Sequence, residues 1–311
     1  MTRALVTGGT GFVGRHLVAV LRARGVETIA AGRAEDPEPP DVLFDLADAA
    51  GIACVVRDAA PDVVFHLAAQ ASVAEAGRDP LAAYDANVLG TARVVEAIRA
   101  LERPPLLLFA SSGEVYGPRD PGELPARETL LPRPLGAYAA SKLGAEAIVD
   151  AAGRATGLRA VVTRAFNHIG PGQSPRFAVA AFARRIAAVA AGGAPVLAVG
   201  NLSPTRDFLD VRDVVAAYLA VATAARAGDA PCGLYNVCGG VATPISEIVR
   251  ALVAIAGVEV EVREDPELVR PVDLPESVGD PAKLRAATGW SPRISLEASL
   301  RDVYAEAVAA A

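Results

Sequence analysis

Cysteine and histidine are scarce in this sequence, with three residues of each among 311. Cys54, Cys232 and Cys238 do not have the spacing of metal ligands, and no histidine cluster lies near them in the chain. We therefore expect no metal site. We interpret the cysteines as small apolar residues that fill the interior of a protein kept in a reducing compartment.

Long hydrophobic runs and an excess of positive charge are also absent. The longest apolar stretch, residues 214–225, is too short to span a bilayer, and the chain starts directly with a strand rather than a signal peptide. The formal net charge of -6 argues against nucleic acid or an anionic membrane surface as the main partner. We expect a cytoplasmic protein that binds neither.

What the sequence does have is a regular alternation of short apolar runs and helical stretches in its first half. Apolar residues make up 52% of the chain, enough for a well-buried core. The alternation predicts an α/β fold with a doubly wound, mostly parallel sheet covered on both faces. The predicted strands are Ala4–Thr7, Glu27–Ala31, Val42–Phe44, Asp62–His66, Leu106–Ala110 and Leu158–Thr163, and the predicted helices are Gly14–Arg24, Tyr84–Ala100 and Ala137–Thr156.

The pattern becomes less regular after about residue 165, because proline and glycine interrupt it repeatedly. We predict a dinucleotide-binding domain made of residues 1–165 and about 205–238. A smaller, less regular C-terminal substrate lobe, made of about 166–204 and 239–311, is expected over the strand ends. Trp290 is expected to pack within that lobe.

A glycine-rich turn, Thr7-Gly8-Gly9-Thr10-Gly11-Phe12-Val13-Gly14, follows the first strand and opens the first helix. Gly8 permits the tight turn, Gly11 allows the backbone to approach a pyrophosphate, and Gly14 allows helix and strand to pack closely. The helix N-terminus offers N–H groups to the phosphates. This context predicts a Rossmann-type dinucleotide site that includes Gly8, Gly11, Phe12, Val13 and Gly14.

The end of the second strand distinguishes the two nicotinamide cofactors. An NAD site usually has an acidic residue there, but Ala30-Ala31-Gly32-Arg33 offers none, and Arg33 could bind a 2′-phosphate. We predict that NADP(H) is preferred and that NAD(H) is possible; the alternative is that Arg33 is only a solvated loop charge. Asp45 and Leu46 are expected at the adenine edge, and the chain is expected to pass the cofactor at Leu67, Ala68 and Ala69.

Tyr138 and Lys142 lie four residues apart, one turn apart on one face of a predicted helix. A nearby ammonium lowers a phenol's pKa from about 10, so we expect Tyr138 to exchange a proton near neutral pH. The same Lys142 can bind the nicotinamide ribose. Only two of the 30 basic residues are lysines, which argues against an incidental lysine at this spacing.

Ser112 stands at the end of the fifth strand, where open parallel sheets bind ligands. Its hydroxyl is predicted to hold the reacting oxygen beside Tyr138. Glu114 follows two residues later, and the sequence leaves two roles open for it: a second acid or base, or a structural carboxylate.

Together these features resemble the extended short-chain dehydrogenase family, with TGxxGxxG, Asn87-Val88-Leu89-Gly90-Thr91, SSxxxYG and YxxxK in that order. The resemblance covers essentially the whole chain. It implies an NAD(P)-dependent oxidoreductase, a homodimer, and an active-site role for Asn87 in substrate binding and the proton relay. The alternative for Asn87 is an ordinary residue at a helix start.

Motifs in the second half look like the GDP-sugar branch of this family, which contains GDP-mannose 4,6-dehydratases and GDP-4-keto-6-deoxy-mannose reductases. Arg206 and Arg270 are predicted to bind the substrate's diphosphate, since a guanidinium fork matches two phosphate oxygens. Asn167 could donate to the same phosphates, and Asp273 could accept from a ribose hydroxyl. His66 and His168 are expected to be structural.

The chemistry is left open between several reactions that begin with the same hydride transfer. The spacing from Arg206 to Trp290 resembles the reductases and predicts reduction of GDP-4-keto-6-deoxy-D-mannose to GDP-D-rhamnose. Glu114 stands where the dehydratases place their glutamate, which favours 4,6-dehydration of GDP-mannose. A 4-epimerase or decarboxylase is a further alternative. A non-catalytic nucleotide-binding or regulatory protein is disfavoured by the intact Tyr138 and Lys142.

Overall fold

The computed structural model describes residues 1–36, 38–269 and 274–310. Over these residues the strands are β1 (Arg3–Thr7), β2 (Glu27–Gly32), β3 (Val42–Leu43), β4 (Val63–His66), β5 (Leu106–Ser112), β6 (Ala160–Ala165), β7 (Asn167–Ile169), β8 (Val196–Val199), β9 (Thr205–Asp210), β10 (Gly233–Val237), β11 (Ala242–Pro244), β12 (Glu261–Glu264) and β13 (Glu276–Ser277). The α-helices are α1 (Phe12–Ala23), α2 (Ala49–Ala59), α3 (Val73–Arg78), α4 (Pro80–Tyr84), α5 (Gly90–Arg99), α6 (Ala137–Thr156), α7 (Ala178–Ala190), α8 (Val211–Ala227), α9 (Ile245–Ala256), α10 (Ala282–Thr288) and α11 (Leu296–Ala309).

Seven parallel strands form the central sheet, in the order β10-β6-β5-β4-β1-β2-β3. One face packs on α1 and α8, and the other packs on α2, α5 and α6. Because both faces are covered, strands such as β4 are buried throughout. The predicted doubly wound α/β fold is confirmed.

The strand order reverses beside β1, which lies between β2 and β4. The connections leaving β1 and β4 therefore run to opposite faces of the sheet and open a crevice at the strand ends. The glycine turn after β1 and the loop after β4 lie on either side of that crevice.

The six predicted strands are present with their ends shifted by up to two residues, and the helix predicted at Ala137–Thr156 has those bounds. The helix predicted at Tyr84–Ala100 instead consists of the end of α4, a π-helical turn (Asp85–Leu89) and α5. The sequence analysis missed α2, whose N-terminus is capped by the Asp48 carboxylate accepting from the Gly51 amide.

A smaller lobe contains β9 flanked by β11 and β13, with β7 also pairing with β9, and the separate pair β8–β12. Helices α7, α9 and α11 pack together with β7 and β8 into its own core. Two segments depart from the predicted domain boundaries. Strand β9 belongs to the small-lobe sheet, whereas α10 and Trp290 pack against α8 in the core of the large lobe.

The cysteines are a second departure from expectation. Cys238 is buried, but Cys54 and Cys232 are exposed and so do not fill the interior. Within the described residues, no helix is both long enough and apolar enough to cross a membrane.

Candidate active site

The glycine turn is built for close backbone contact. Gly8 has a φ of +70°, and a Cβ on it would lie 2.8 Å from the amide nitrogen of Ala68. A Cβ on Gly14 would lie 2.0 Å from the carbonyl oxygen of Gly8, so a side chain there would displace α1 from the turn. The lack of a side chain at Gly8 thus allows the turn to approach the backbone of the loop after β4 closely.

The N-terminus of α1 opens into the crevice without a side-chain cap. Its N-cap residue is Gly11, which has no side chain to accept from the first-turn amides of Phe12 and Val13. Uncapped amides at the positive end of a helix dipole fit a diphosphate group. Glycines that leave no room for a Cβ, together with this helix end, are what a dinucleotide would need here. The residues present therefore fit the predicted cofactor.

The predicted 2′-phosphate site contains carboxylates that the strand-end sequence did not reveal. Asp36 accepts from the Arg33 amide (2.8 Å) and from the Thr10 hydroxyl (2.5 Å), while the Arg33 guanidinium lies 3.2 Å from Glu35 and 3.5 Å from Asp36. The chain after β2 folds back and brings the two carboxylates beside Arg33. The end of the strand, Ala30-Ala31-Gly32-Arg33, has no acidic residue of its own. Arg33 itself is two-thirds exposed and accessible to a ligand.

Asp45 and Leu46, which are predicted to lie at the adenine edge, follow β3. The Asp45 carboxylate accepts from the Ala47 amide in a local turn and is exposed. Leu46 packs against Gly90, and its carbonyl accepts from Arg93 (2.8 Å). On the other side of the crevice, the Leu67 amide donates to the Thr7 carbonyl, so the start of the loop 67–69 is fixed to the end of β1.

Tyr138, Ser112 and Glu114 come together where β5 ends and α6 begins. Burial raises the pKa of the Tyr138 phenol, the Ser112 hydroxyl lowers it through a hydrogen bond, and the charge of Glu114 raises it again. The Ser112 hydroxyl also accepts from the Glu114 amide (3.2 Å), which ties it to the turn that follows β5. The structure thus brings together three of the four predicted catalytic residues around one phenol.

Lys142 lies one turn further along α6 and is buried. Its Nζ donates to the Ala110 carbonyl (2.9 Å) and lies 5.2 Å from the centre of the Phe109 ring. Burial lowers its pKa to about 8. The expectation that Lys142 lowers the pKa of Tyr138 is wrong for this structure, because desolvation of the phenol outweighs any effect of the ammonium and the net shift is upward.

A buried ion pair beneath these residues was missed by the sequence analysis. Glu146 accepts from Arg164 at both oxygens (2.9 and 2.6 Å) and from the Ser111 hydroxyl (2.5 Å). Arg164 also lies over the Tyr116 ring, 4.6 Å from its centre. The available signal was the spacing of Tyr138, Lys142 and Glu146, which places all three on one face of α6.

Asn87 occupies the π-helical turn and is buried, with its side chain fully engaged inside the protein. Its side-chain oxygen Oδ1 accepts from the backbone amide of Gln70. Its side-chain nitrogen Nδ2 donates to the backbone carbonyl of Gln70 (3.1 Å) and to the Ser141 hydroxyl (2.8 Å). It therefore fixes the loop after β4 to the catalytic helix. This differs from the predicted contact with substrate, since both N–H groups already have partners.

Two of the residues predicted to bind the substrate diphosphate, Asn167 and Arg206, lie in the small lobe. Asn167 and Arg206 are on the adjacent strands β7 and β9, and the register places them on the same face of the sheet. Arg206 is buried, and its Nη1 donates to the carbonyls of Thr205 and Leu274 (2.8 Å each). Arg270 and Asp273 lie outside the described residues.

Of the two histidines expected to be structural, His66 is buried and His168 is half-buried, and both are hydrogen-bonded. His66 contacts the Thr7 and Thr91 hydroxyls, and burial lowers its pKa to about 3. His168 contacts the Phe166 carbonyl and stacks on Phe12, and burial lowers its pKa as well. Among the described residues, no cluster of three or more His, Cys, Asp or Glu side chains is arranged to hold a metal ion.

A protonated phenol, a serine hydroxyl and a buried lysine thus lie at the same edge of the sheet as the glycine turn, whose geometry fits phosphates. This arrangement can give a proton to, or take one from, an oxygen held at Ser112 while a dinucleotide lies along the crevice. It suits interconversion of a carbonyl and an alcohol.

Comparison with known proteins shows close similarity along the whole chain. The model of the NAD dependent epimerase/dehydratase family matches residues 4–238. GDP-6-deoxy-D-mannose reductase of Pseudomonas aeruginosa is 40% identical over 98% of this chain and 96% of its own length. The solved structure of RMD from Pseudomonas aeruginosa complexed with NADPH has a TM-score of 0.88 and 38% identity, covering 100% of both chains. The UDP-glucose 4-epimerase of Thermus thermophilus in complex with NAD has a TM-score of 0.86 and 35% identity over 98% of each chain.

Proposed function

This chain belongs to the NAD dependent epimerase/dehydratase family, and from that premise we propose that it is an NAD(P)H-dependent reductase of a nucleotide-linked 4-keto-6-deoxyhexose. The specific reaction is the conversion of GDP-4-keto-6-deoxy-D-mannose to GDP-D-rhamnose. The observation that carries the proposal is the 40% identity, over nearly both full lengths, to a GDP-6-deoxy-D-mannose reductase.

The chemistry assigned to this chain is proton transfer and positioning. A bound nicotinamide cofactor supplies the hydride that reaches the sugar C4. Ser112 holds the C4 oxygen by a hydrogen bond, and Tyr138 donates its phenolic proton to that oxygen, so that a ketone and a hydride become an alcohol. The raised pKa of Tyr138 supports this direction, since a proton donor must be protonated before the reaction.

The cofactor proposal is NADP(H) with NAD(H) as a weaker alternative. Arg33 supports it as an accessible cation at the ribose end of the crevice. Glu35 and Asp36 beside it reduce the local positive charge, which supports a moderate rather than absolute preference for the 2′-phosphate. A relative of 38% identity whose structure contains NADPH supports the same choice.

On the substrate side, Arg206 and Asn167 are proposed to face the diphosphate from the small lobe, with Arg270 and Asp273 as the other proposed contacts. Asn87 is proposed to act without contacting the substrate, by positioning the loop after β4 and the catalytic helix. The lobes are proposed to correspond to a dinucleotide domain and a sugar-nucleotide domain, with β9 counted in the second.

The protein is proposed to act in the cytoplasm as a homodimer that binds neither nucleic acid nor a membrane. Exposed apolar side chains on α4 and the following π turn support self-association, since Leu81 is 77% and Leu89 is 51% exposed.

A second candidate is 4,6-dehydration, favoured by one observation. The charge of Glu114 acts on the Tyr138 phenol, so this carboxylate is close to the proposed site of reaction. A carboxylate in that position could remove the sugar C5 proton, which the dehydratase reaction needs and simple reduction does not.

Two incubations distinguish these functions. The first contains GDP-4-keto-6-deoxy-mannose with NADPH, and the second contains GDP-mannose with NADP+. Stoichiometric NADPH oxidation in the first, with a deoxyhexose alcohol as product, is expected for the reductase. Formation of a keto-sugar in the second without net cofactor turnover would instead identify a dehydratase.

A further inference from the structure

Lys142 and Glu146 occupy successive turns of one face of α6, and both are buried. They bind consecutive residues of β5: Lys142 donates to the Ala110 carbonyl, and Glu146 accepts from the Ser111 hydroxyl. The two side chains are thus held against the same short stretch of strand. Packing alone does not require a charged pair there, since apolar residues would fill the same interior.

The charged and titratable groups around this ammonium come from three elements. Glu146 faces it from α6, where Tyr138 lies one turn away, His66 faces it from β4, and Arg164 approaches from β6 through its bond to Glu146. His66 is neutral above its depressed pKa, and Tyr138 is neutral because its pKa is raised. Glu146 is therefore the anion that opposes the charge of Lys142 among the described residues.

Arg164 competes for the same carboxylate. It is buried and donates to both oxygens of Glu146, and among the described residues its Nη1 atom has no hydrogen-bond partner. Glu146 therefore interacts electrostatically with two buried cations, while the hydrogen bonds described for its carboxylate go to Arg164 and Ser111.

We infer that Glu146 is a positioning residue for the proposed reaction, which supplies the counter-charge that keeps Lys142 a cation beneath the active site, and that Arg164 limits how strongly it does so. The inference rests on the proposed function and on the predicted role of Lys142 in binding the nicotinamide ribose. Its physical basis is that a carboxylate in a desolvated site favours the charged form of a neighbouring amine. Two substitutions should accordingly shift the protonation of Lys142 in opposite directions.

The chain suits a direct measurement, because Lys142 and Lys283 are its only lysines. Protein made with lysine labelled by 13C at Cε gives two signals, assigned with a Lys283→Arg variant and followed against pH. In the wild type, the Lys142 signal is expected to titrate near pH 8. The Lys283 signal is an internal reference in every sample.

Glu146→Gln is expected to lower the Lys142 midpoint by about one unit or more, and Arg164→Met to raise it. Because Glu146→Gln leaves two buried cations unopposed and is at risk of unfolding, the double variant Glu146→Gln/Arg164→Met is compared with Arg164→Met, which gives the same test in the absence of the second cation. The double variant is expected to have the lower midpoint of the two. Glu146→Asp, which keeps the charge, should restore most of the wild-type midpoint.

The alkaline limb of the kcat/KM profile should move in parallel with the NMR midpoint in each active variant. A Lys142 midpoint in the folded double variant equal to that of Arg164→Met would overturn the inference and leave Glu146 with a packing role. The NMR titration requires no substrate, so a chain that fails the reductase assay but shows these shifts refutes the proposed function and not the charge coupling.

Discussion

The side-chain amide of Asn87 donates a hydrogen bond of 2.8 Å to the hydroxyl of Ser141, and that hydroxyl donates to the carbonyl of Tyr138 at 2.7 Å. A residue of the π-helical turn is thereby connected to the first turn of the catalytic helix. The same Asn87 pairs with both backbone groups of Gln70. One buried amide therefore joins the loop after β4, the π turn and α6.

Asn87→Ala is expected to destabilise the protein by at least ~2 kcal/mol, because it leaves both backbone groups of Gln70 without buried partners, each costing about 1–3 kcal/mol. Ser141→Ala is the matched control. It removes one hydroxyl and should cost about 1 kcal/mol. Urea unfolding of both variants measures the difference, and equal losses would show that Gln70 finds other partners.

Tyr138→Phe is expected to abolish reduction while cofactor affinity stays near that of the wild type, since only the phenolic proton is removed. The measurements are kcat with the 4-keto sugar and NADPH binding by calorimetry. Tyr84→Phe, at an exposed position on α4, is the control and should be neutral. Retention of more than about a tenth of wild-type kcat, a barrier increase below ~1.4 kcal/mol, would remove Tyr138 from the proton-transfer role.

Arg33→Ala should lower the ratio of kcat/KM for NADPH to that for NADH by about tenfold or more, the value of a charge-assisted hydrogen bond. Glu35→Gln should raise the same ratio a few-fold, because it removes an exposed carboxylate 3.2 Å from the guanidinium. Arg263→Ala, on the distant strand β12, is a surface control. If neither substitution near the crevice changes the ratio, Arg33 does not discriminate the cofactors.

Glu114→Gln separates the reductase from the dehydratase. Reduction of a 4-keto group breaks no C5–H bond, so the isosteric amide should retain most of the rate. Removal of a base in dehydration should instead cost ~10²–10⁴-fold. A loss of two orders of magnitude in a folded variant with intact cofactor affinity, or deuterium at C5 of a product formed in D2O, would contradict the reductase proposal.

His66 should make the protein sensitive to acid. Its pKa is lowered to about 3 in the folded state by burial, from an ordinary value of 6.5. Between these values the unfolded chain binds the proton more readily, so this contribution to stability is complete above pH 6.5 and is lost as the pH falls toward 3.

The loss attributable to His66 between pH 6.5 and about 5 should be about 2 kcal/mol. The free energy of unfolding is measured against pH for the wild type and for His66→Gln. The variant is expected to be less stable at every pH, but its glutamine does not titrate, so the difference in pH dependence between the two proteins is the contribution of His66. Parallel curves for the two proteins would show that His66 does not contribute to acid unfolding.

Several features of this protein were determined by short stretches of sequence. Gly8 adopts a positive φ, and the backbone passes close to Gly8 and Gly14, because glycine lacks a Cβ. This property depends on the identity of the residue alone. Tyr138 and Lys142 share a helix face because an α-helix such as α6 has a period of about 3.6 residues. The parallel sheet follows from apolar runs too short for helices and buried on both sides. Such features can be read without knowledge of distant contacts.

Other features were decided by the tertiary structure. The chain folds back after β2 and brings Asp36 to Arg33, and Arg164 on β6 meets Glu146 across 18 residues of sequence. Strand β9 joins the small lobe because its partners β7, β11 and β13 come from three separate segments. The upward pKa shift of Tyr138 likewise depends on how much water the surrounding elements exclude. Pairing between distant segments and the desolvation it produces have no period in the sequence, because they arise only when the whole chain is packed.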